Sequence, residues 1–259
     1  MNSMSHHYRD QVLSMLDLRA EQNKPIAFWW RDDDATRPTP ALERLIGLSE
    51  THGLPLALAV IPKQASGALV DRIRQAPTLT VLQHGFAHKN HSDRTKGHGA
   101  SEFGEERSLE DSLRDLKKGR SRMHGLFAER AIPVFVPPWN RMGGDFTQSL
   151  SEVGFKGYSA FGQLSGDDEA HRGHLDVHWD PITWKGGARF CGTEKAWKKL
   201  AEELERRTDR DNAPLGLVTH HLAHDEDVWS YLNELLRTLA GHPGAVFPPI
   251  RQLFGLRSI

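Results

Sequence analysis

Acidic and histidine side chains follow several apolar segments of this chain. Three aspartates, Asp32 to Asp34, come directly after the apolar run Ile26–Trp30. His84 comes after the apolar run 79–83, and His88 lies four residues further on. A catalytic zinc site typically takes three ligands from His, Asp or Glu and leaves one position open for water. One aspartate of the run could form such a site with His84 and His88, and this ligand set would also suit other divalent ions.

The same residues indicate what a bound ion would do. A divalent ion lowers the pKa of its bound water and polarises a substrate carbonyl. Adjacent aspartates would let one carboxylate bind the ion while its neighbour takes a proton from the water. Two late histidines, His220 and His221, follow the apolar run 215–219 and could protonate a leaving group. The residue pattern therefore predicts a metal-dependent hydrolase, without deciding which histidine is the acid.

The elements that must position these residues alternate along the chain. Apolar runs of strand length are followed by amphipathic segments of helix length, seven or eight times. This alternation predicts a parallel sheet covered by helices. The number of units favours a closed or nearly closed β/α barrel, in which active sites lie at the C-terminal ends of the strands. The acidic and histidine residues fall at those predicted ends, which indicates one shared pocket.

Individual elements can be predicted from local signals. Thr39 and Pro40 favour a helix start, and Gly53 favours its end. We expect a strand over residues 175–179 and a helix capped by Thr193. The polar segment 86–104 is predicted to be a long loop that could cover the site. No repeat or Pro/Gly-rich linker divides residues 1–259, so we predict a single domain.

Composition excludes some classes of function. Lys and Arg total 33 against 34 for Asp and Glu, so there is no electrostatic case for a nucleic-acid partner. The one cysteine, Cys191, cannot form an internal disulfide. No apolar run approaches the roughly 20 residues of a membrane span, and the polar segment Met1–Asp10 lacks a signal-peptide core. We therefore predict a cytoplasmic protein without a transmembrane segment. The oligomeric state is left open.

Two motifs resemble those of the polysaccharide deacetylases, the NodB-homology carbohydrate esterases. Their paired aspartates after a strand are similar to the segment Arg31–Ala35, and their two histidines four residues apart are similar to the segment His84–His88. The resemblance implies that Asp33 is the catalytic base, and that Asp34, His84 and His88 bind the metal. A shift by one residue, to Asp32 and Asp33, is the alternative alignment.

Three further motifs extend the resemblance to residues 26–225. The third family motif supplies an arginine that steadies the base and a proline. The segment Phe135–Asn140 keeps the proline but lacks the arginine, which Arg31 or Arg141 could replace. The fourth motif is matched loosely by the segment His178–Trp184. The fifth motif, a strand that ends in the acid histidine, is similar to 217–221. Tryptophans suit the apolar faces of sugar rings, and the predicted substrate-binding residues are Asp32, Pro138, Trp139, Asn140 and Trp184.

The resemblance implies a divergent intracellular member with a distorted seven-stranded (β/α) barrel. Its expected reaction removes an acyl group, here acetyl, from an amino sugar or other carbohydrate. Water on the metal would attack the amide or ester carbonyl, with an Asp base and a His acid. The expected ion is Zn²⁺, with Mn²⁺, Co²⁺ or Ni²⁺ as alternatives. Two other functions stay open: a catalytically silent carbohydrate- or metal-binding protein on the same barrel, which the missing arginine favours, and an amidase for a non-sugar amide.

Overall fold

The computed structural model describes residues 4–93, 95, 99–143, 146–162, 173–207 and 213–257. The strands within these residues are β1 (Ile26–Ala35), β2 (Leu56–Val60), β3 (Leu79–His84), β4 (Ala131–Val136), β5 (Gly157–Tyr158), β6 (Ile182–Thr183), β7 (Arg189–Phe190), β8 (Leu215–Thr219) and β9 (Ala245–Val246). The α-helices are α1 (Met4–Glu21), α2 (Pro40–His52), α3 (Gly67–Arg74), α4 (Leu109–Phe127), α5 (Phe146–Glu152), α6 (Thr193–Arg206), α7 (Glu226–Ala240) and α8 (Ile250–Leu253). None of these helices combines the length and the apolar character that a membrane span requires.

Seven strands form one curled parallel sheet. Its order is β5-β4-β3-β2-β1-β8, and β9 pairs with the beginning of β1. Every pairing in this sheet is parallel. The predicted distorted (β/α) barrel is therefore confirmed, in the form of a half-barrel whose strands deliver their C-terminal ends to one rim.

Both faces of strand β1 are buried, which explains its nearly continuous apolar run. Phe28 and Trp30 pack in the large apolar cluster that the helices share with the sheet. Trp29, between them, packs in a second cluster with inward-facing residues such as Val134 and Val218. Because side chains alternate along a strand, this arrangement fixes β1 between the two clusters. The strand can therefore carry charged residues at its far end.

The predicted boundaries of α2 are confirmed. The hydroxyl oxygen of Thr39 accepts a hydrogen bond from the backbone N–H of Leu42 at 3.1 Å, and Pro40 occupies the first turn. Gly53 ends the helix with a φ of 65°, a left-handed conformation that glycine adopts without strain. With these two ends fixed, α2 leads the chain from the C-terminal end of β1 back to the start of β2.

Strand β1 continues beyond the apolar run 26–30 and through the aspartates, because Asp32 pairs with both Leu58 and Thr219. Two local predictions differ from the structure. Residues 175–179 make isolated bridges, Val177 to Phe161 and Trp179 to Leu217, instead of a strand. This segment crosses between the two edges of the half-barrel, so it pairs with each edge only once. The α6 cap position is occupied by Gly192 rather than Thr193, and its φ of 92° lies outside the usual range of other residues.

Candidate active site

An irregularity in β1 sets the directions of the three aspartates. Asp32 pairs with Leu58 and Ala35 pairs with Val60, so β1 has three residue steps where β2 has two. Asp34 takes the extra step with a φ of 74°, in the left-handed region. Such bulges bend a strand and redirect its side chains near active sites. As a result Asp33 and Asp34 line the same cavity despite being neighbours in the chain.

The three predicted metal ligands come together at this rim. The Oδ1 atom of Asp34 lies 3.2 Å from Nε2 of His84 and 3.2 Å from Nε2 of His88. One ligand atom from each residue lies within 4.8 Å of the other two. Asp34 Oδ1 is buried and makes no hydrogen bond to any described residue. A carboxylate oxygen that faces two imidazole nitrogens in this way fits the donor set of a divalent cation with an open coordination position.

Each ligand is also oriented by its surroundings. Nδ1 of His84 lies 3.1 Å from the carbonyl oxygen of Val136 and can donate a hydrogen bond to it, which leaves Nε2 without a proton to face Asp34. Burial opposes ionisation of Asp34, but the neighbouring His84 and His88 hold the pKa of its carboxyl well below the ordinary value. Burial lowers the pKa of His88. An ionised carboxylate and a neutral imidazole are the forms that bind a metal.

A buried arginine on β1 holds Asp33. Nε of Arg31 lies 2.8 Å from Oδ1 of Asp33, and Nη2 of Arg31 donates a hydrogen bond to Oδ2 at 3.0 Å. The rest of the guanidinium is anchored too: Nη1 donates to the Ser159 hydroxyl and Nη2 to the Asn140 side-chain oxygen, each at 2.6 Å. Arg31 thus contacts the predicted base, whereas Arg141 lines the cavity. Asn140, predicted to bind substrate, lines the cavity and also fixes this arginine.

His220 lines the same cavity close to Asp33. Its Nε2 atom is 3.9 Å from Oδ2 of Asp33, and its Nδ1 atom is 3.4 Å from Oδ2 of Asp180. The indole N–H of Trp184 donates to the same Asp180 oxygen at 2.9 Å, and Lys199 donates to the Asp180 carbonyl oxygen at 2.6 Å. The Asp180 carboxylate therefore lies beside the Nδ1 edge of the His220 imidazole. Sequence reasoning placed Asp180 at a strand end without giving it this role.

His221 points away from this cavity and pairs with Asp32. Its Nδ1 atom lies 2.5 Å from Oδ1 of Asp32, and the two side chains are 1% and 0% exposed. The second Asp32 oxygen accepts hydrogen bonds from the Thr219 hydroxyl at 2.7 Å and the His221 backbone N–H at 3.0 Å. Burial opposes a charged His221, but the Asp32 carboxylate outweighs it and raises the imidazole pKa. Asp32 lines neither this cavity nor the smaller one beside Asp34, which His221 lines.

The cavity over Asp33 and Asp34, here called the main cavity, has a volume of about 590 Å³. Three exposed aromatic side chains stand at its mouth, with exposures of 36% for Trp139, 50% for Trp184 and 48% for Phe161. Trp139 and Trp184 were predicted to bind substrate, whereas Phe161 was not. Pro138, also predicted to bind substrate, is buried and is not among the residues that line this cavity. The complete lining is Asp33, Asp34, His84, His88, Trp139, Asn140, Arg141, Phe161, Asp180, Ile182, Trp184, Lys199 and His220.

Comparison with known proteins gives similarity in structure but none in sequence. No protein-family model matches the chain, and no curated protein sequence does. Among solved structures, a Mycobacterium smegmatis protein described as a polysaccharide deacetylase matches with a TM-score of 0.59 and 17% identity, over 85% of this chain and 80% of that one.

Two further solved structures agree with it. The peptidoglycan deacetylase PdaC from Bacillus subtilis has a TM-score of 0.54 and 12% identity, with 88% and 90% of the two chains covered. A family 4 acetyl xylan esterase from Clostridium thermocellum, in complex with a cobalt ion, has a TM-score of 0.53 and 12% identity, with 89% and 93% covered. At the level of the fold the motif resemblance is confirmed: this chain is folded like the solved polysaccharide deacetylases.

Proposed function

We propose that this protein is a metal-dependent hydrolase that removes an acetyl group from a carbohydrate. The observation that carries the proposal is the content of the main cavity. A candidate divalent-ion ligand set, a carboxylate held by arginine and a histidine beside an aspartate all face one space. Hydrolysis of an acyl group needs this combination of an electrophile, a base and an acid.

Asp34, His84 and His88 would hold the cation. When bound, the cation would act as a Lewis acid that activates water and polarises the acyl carbonyl. Zn²⁺ is our first choice for this donor set, and Mn²⁺, Co²⁺ or Ni²⁺ are alternatives. One of the similar solved structures contains a cobalt ion, which supports a divalent ion without identifying the one used here.

Asp33 would accept the proton of the attacking water. Its carboxylate is a neighbour of the ligand Asp34, and Arg31 fixes its orientation from the buried side. A base with a fixed direction accepts a proton without first reorganising. The oxygen atom of this water then becomes the hydroxyl oxygen of the released acetic acid. Asp33 therefore has the position and the support that a general base requires.

His220 would protonate the leaving group. Asp180 lies beside Nδ1 and can hold a proton there, so Nε2 faces the cavity and Asp33. A proton delivered from Nε2 would convert the departing nitrogen or oxygen of the sugar into a neutral amine or hydroxyl. We prefer His220 over His221 for this role because His221 is committed to Asp32 outside the main cavity.

The aromatic mouth supports a carbohydrate substrate. Trp139, Phe161 and Trp184 present exposed rings around the site, and sugar rings offer apolar C–H faces to such surfaces. The similar solved proteins include enzymes described as acting on peptidoglycan and on xylan. Both an N-acetyl amide and an O-acetyl ester are therefore candidates for the bond.

The Arg31 contact weakens the case for a catalytically silent protein. That alternative rested on the missing third-motif arginine, and Arg31 contacts Asp33 instead. The purified metal-loaded protein should release acetate from N-acetylated oligosaccharides or acetylated xylan, tested beside chromogenic acyl amides that contain no sugar. Release from the chromogenic amides alone would favour the non-sugar amidase. Release from none of them would contradict the proposal.

A further inference from the structure

A buried carboxylate from the long polar loop binds the turn that carries the two histidines. Glu102 is 0% exposed. Its Oε2 atom accepts hydrogen bonds from the backbone N–H groups of Phe86 and His88, each at 3.1 Å, and its Oε1 atom accepts from the N–H of Ala87 at 2.8 Å. Within the described residues no cationic side chain forms an ion pair with this carboxylate. Its two oxygens accept hydrogen bonds from three consecutive backbone amides, which form an anion-binding nest.

The conformation of this turn needs such an anchor. Gly85 and His88 have φ values of 56° and 53°, both in the left-handed region. A non-glycine residue such as His88 adopts that region only when its surroundings enforce it. A side chain at position 85 would collide with the Glu102 carboxylate and with Pro138, so only glycine permits the close approach. Gly85 and Glu102 together thus define the path of the chain from His84 to His88.

Glu102 is itself held by the protein core. The flanking residues Ser101 and Phe103 are 5% and 1% exposed. Phe103 packs against Phe135 on β4 and against Phe146, with ring centroids 5.3 Å and 5.0 Å apart. Glu102 therefore connects the turn from His84 to His88 to the packed core. It does so although the sequence predicts only a loop for its segment.

We infer that Glu102 is a positioning residue that sets the metal affinity of the site, an inference that rests on the proposed metal-dependent function. Without its carboxylate the three amides lose their acceptor, and the backbone at His88 can leave the left-handed region. His88 Nε2 then no longer faces Asp34 Oδ1, from which it is 3.2 Å away. The negative charge close behind His88 also favours a dication at this position.

The test is a measurement of Zn²⁺ affinity by competition with a chromophoric chelator, using apoprotein at pH 7. Glu102→Gln should weaken binding by about 10- to 100-fold, the usual effect of losing a group that orients a metal ligand. Glu105→Gln alters an exposed glutamate directly after this loop and should stay within about twofold of the wild type. Unfolding in urea, measured on the apoproteins, separates this effect from stability.

A Glu102→Gln protein that is less stable but binds Zn²⁺ as tightly as wild type would overturn the inference and leave the proposed function intact. A wild-type protein that binds no divalent ion would overturn both. If Glu102→Gln does not fold, amide hydrogen exchange of the wild-type apoprotein decides the matter. The amides of Phe86, Ala87 and His88 should exchange slowly, and rapid exchange at all three would contradict the inference.

Discussion

Arg31 and Asp33 form a buried ion pair within a single strand, with Nε of Arg31 2.8 Å from Oδ1 of Asp33. Residues two apart in a strand share one face, so the arginine can support the carboxylate from the layer directly beneath it. Ser159 and Asn140 complete the guanidinium contacts from neighbouring segments. The proposed base is thereby held by its own strand and does not depend on an arginine in the segment after β4.

Arg31→Gln should remove both the ion pair that orients the Asp33 carboxylate and the positive charge that compensates it. A buried carboxylate left without its partner typically costs about 3–5 kcal/mol of stability. We expect a loss of that order in urea unfolding and a large fall in kcat, with Zn²⁺ content unchanged because Arg31 is not a ligand. Arg114→Gln removes an exposed ion pair with Asp111, worth about 0–1 kcal/mol, and is the matched control. A fully active Arg31→Gln enzyme would show that Asp33 does not need this contact.

Substitution of the two adjacent histidines should give opposite patterns. His220→Asn removes the proposed acid and should lower kcat by about 10²- to 10⁴-fold with little change in stability. His221→Asn leaves Asp32 buried without its cation and should cost about 3–5 kcal/mol of stability, with a smaller loss of kcat in the folded fraction. Steady-state kinetics and urea unfolding of both variants make the comparison. The reverse pattern would assign the acid role to His221.

Phe161 should contribute to substrate binding and not to chemistry. Its ring is exposed at the mouth of the main cavity and contains no group that could transfer a proton. Stacking of this kind is worth about 0.5–1.5 kcal/mol, so Phe161→Ala should raise KM by about 2- to 10-fold while kcat is retained. Leu109→Ala, at an exposed position on α4, is the control and should leave KM unchanged. A kcat defect in Phe161→Ala would place the ring closer to the reacting atoms than we propose.

His224 should make the folded state sensitive to acid. Burial lowers the pKa of its imidazole to about 4, against an ordinary value of 6.5. The unfolded chain therefore binds more protons than the folded protein between these pH values. The stabilisation of the folded state by neutral His224 is complete above pH 6.5 and is lost as the pH falls towards 4. The loss at pH 4 amounts to about 3 kcal/mol.

His224→Phe should keep the ring contact with Trp229, whose centroid is 4.5 Å away, and abolish this titration. The free energy of unfolding, measured in urea from pH 7 to pH 4, should then decline less steeply than in wild type. His124→Phe alters an exposed histidine and should retain the wild-type slope. Identical slopes for wild type and His224→Phe would show that His224 can be protonated without cost in the folded state.

The sequence carries enough information for the framework and for the three residues of the candidate metal site. Alternating apolar and amphipathic segments identify the parallel barrel, and Asp34, His84 and His88 stand out because they fall at predicted strand ends. The functions of Asp32 and Asp33 are harder to separate, since only the register shift and the positive φ of Asp34 decide which carboxylate faces the cavity. Both features depend on pairing with β2, which is distant in the chain.

Contacts across long loops could not be predicted. Glu102 lies 14 residues beyond His88, in a polar segment without strand or helix periodicity, and contacts of its neighbours with distant segments, such as Phe103 with Phe135, place it under the turn. The sequence does not decide between His220 and His221 as the proposed acid for a related reason. Neighbouring residues in extended chain point in opposite directions, so a shift of one residue exchanges their environments.

The central claim is that Asp34, His84 and His88 bind one divalent cation, and elemental analysis of the dialysed protein tests it most directly. The wild type, loaded with Zn²⁺ and dialysed, should retain about one equivalent per chain, whereas His84→Ala and Asp34→Asn should retain almost none. His124→Ala should behave as wild type. Stoichiometric zinc in His84→Ala, or none in the wild type, would contradict the account.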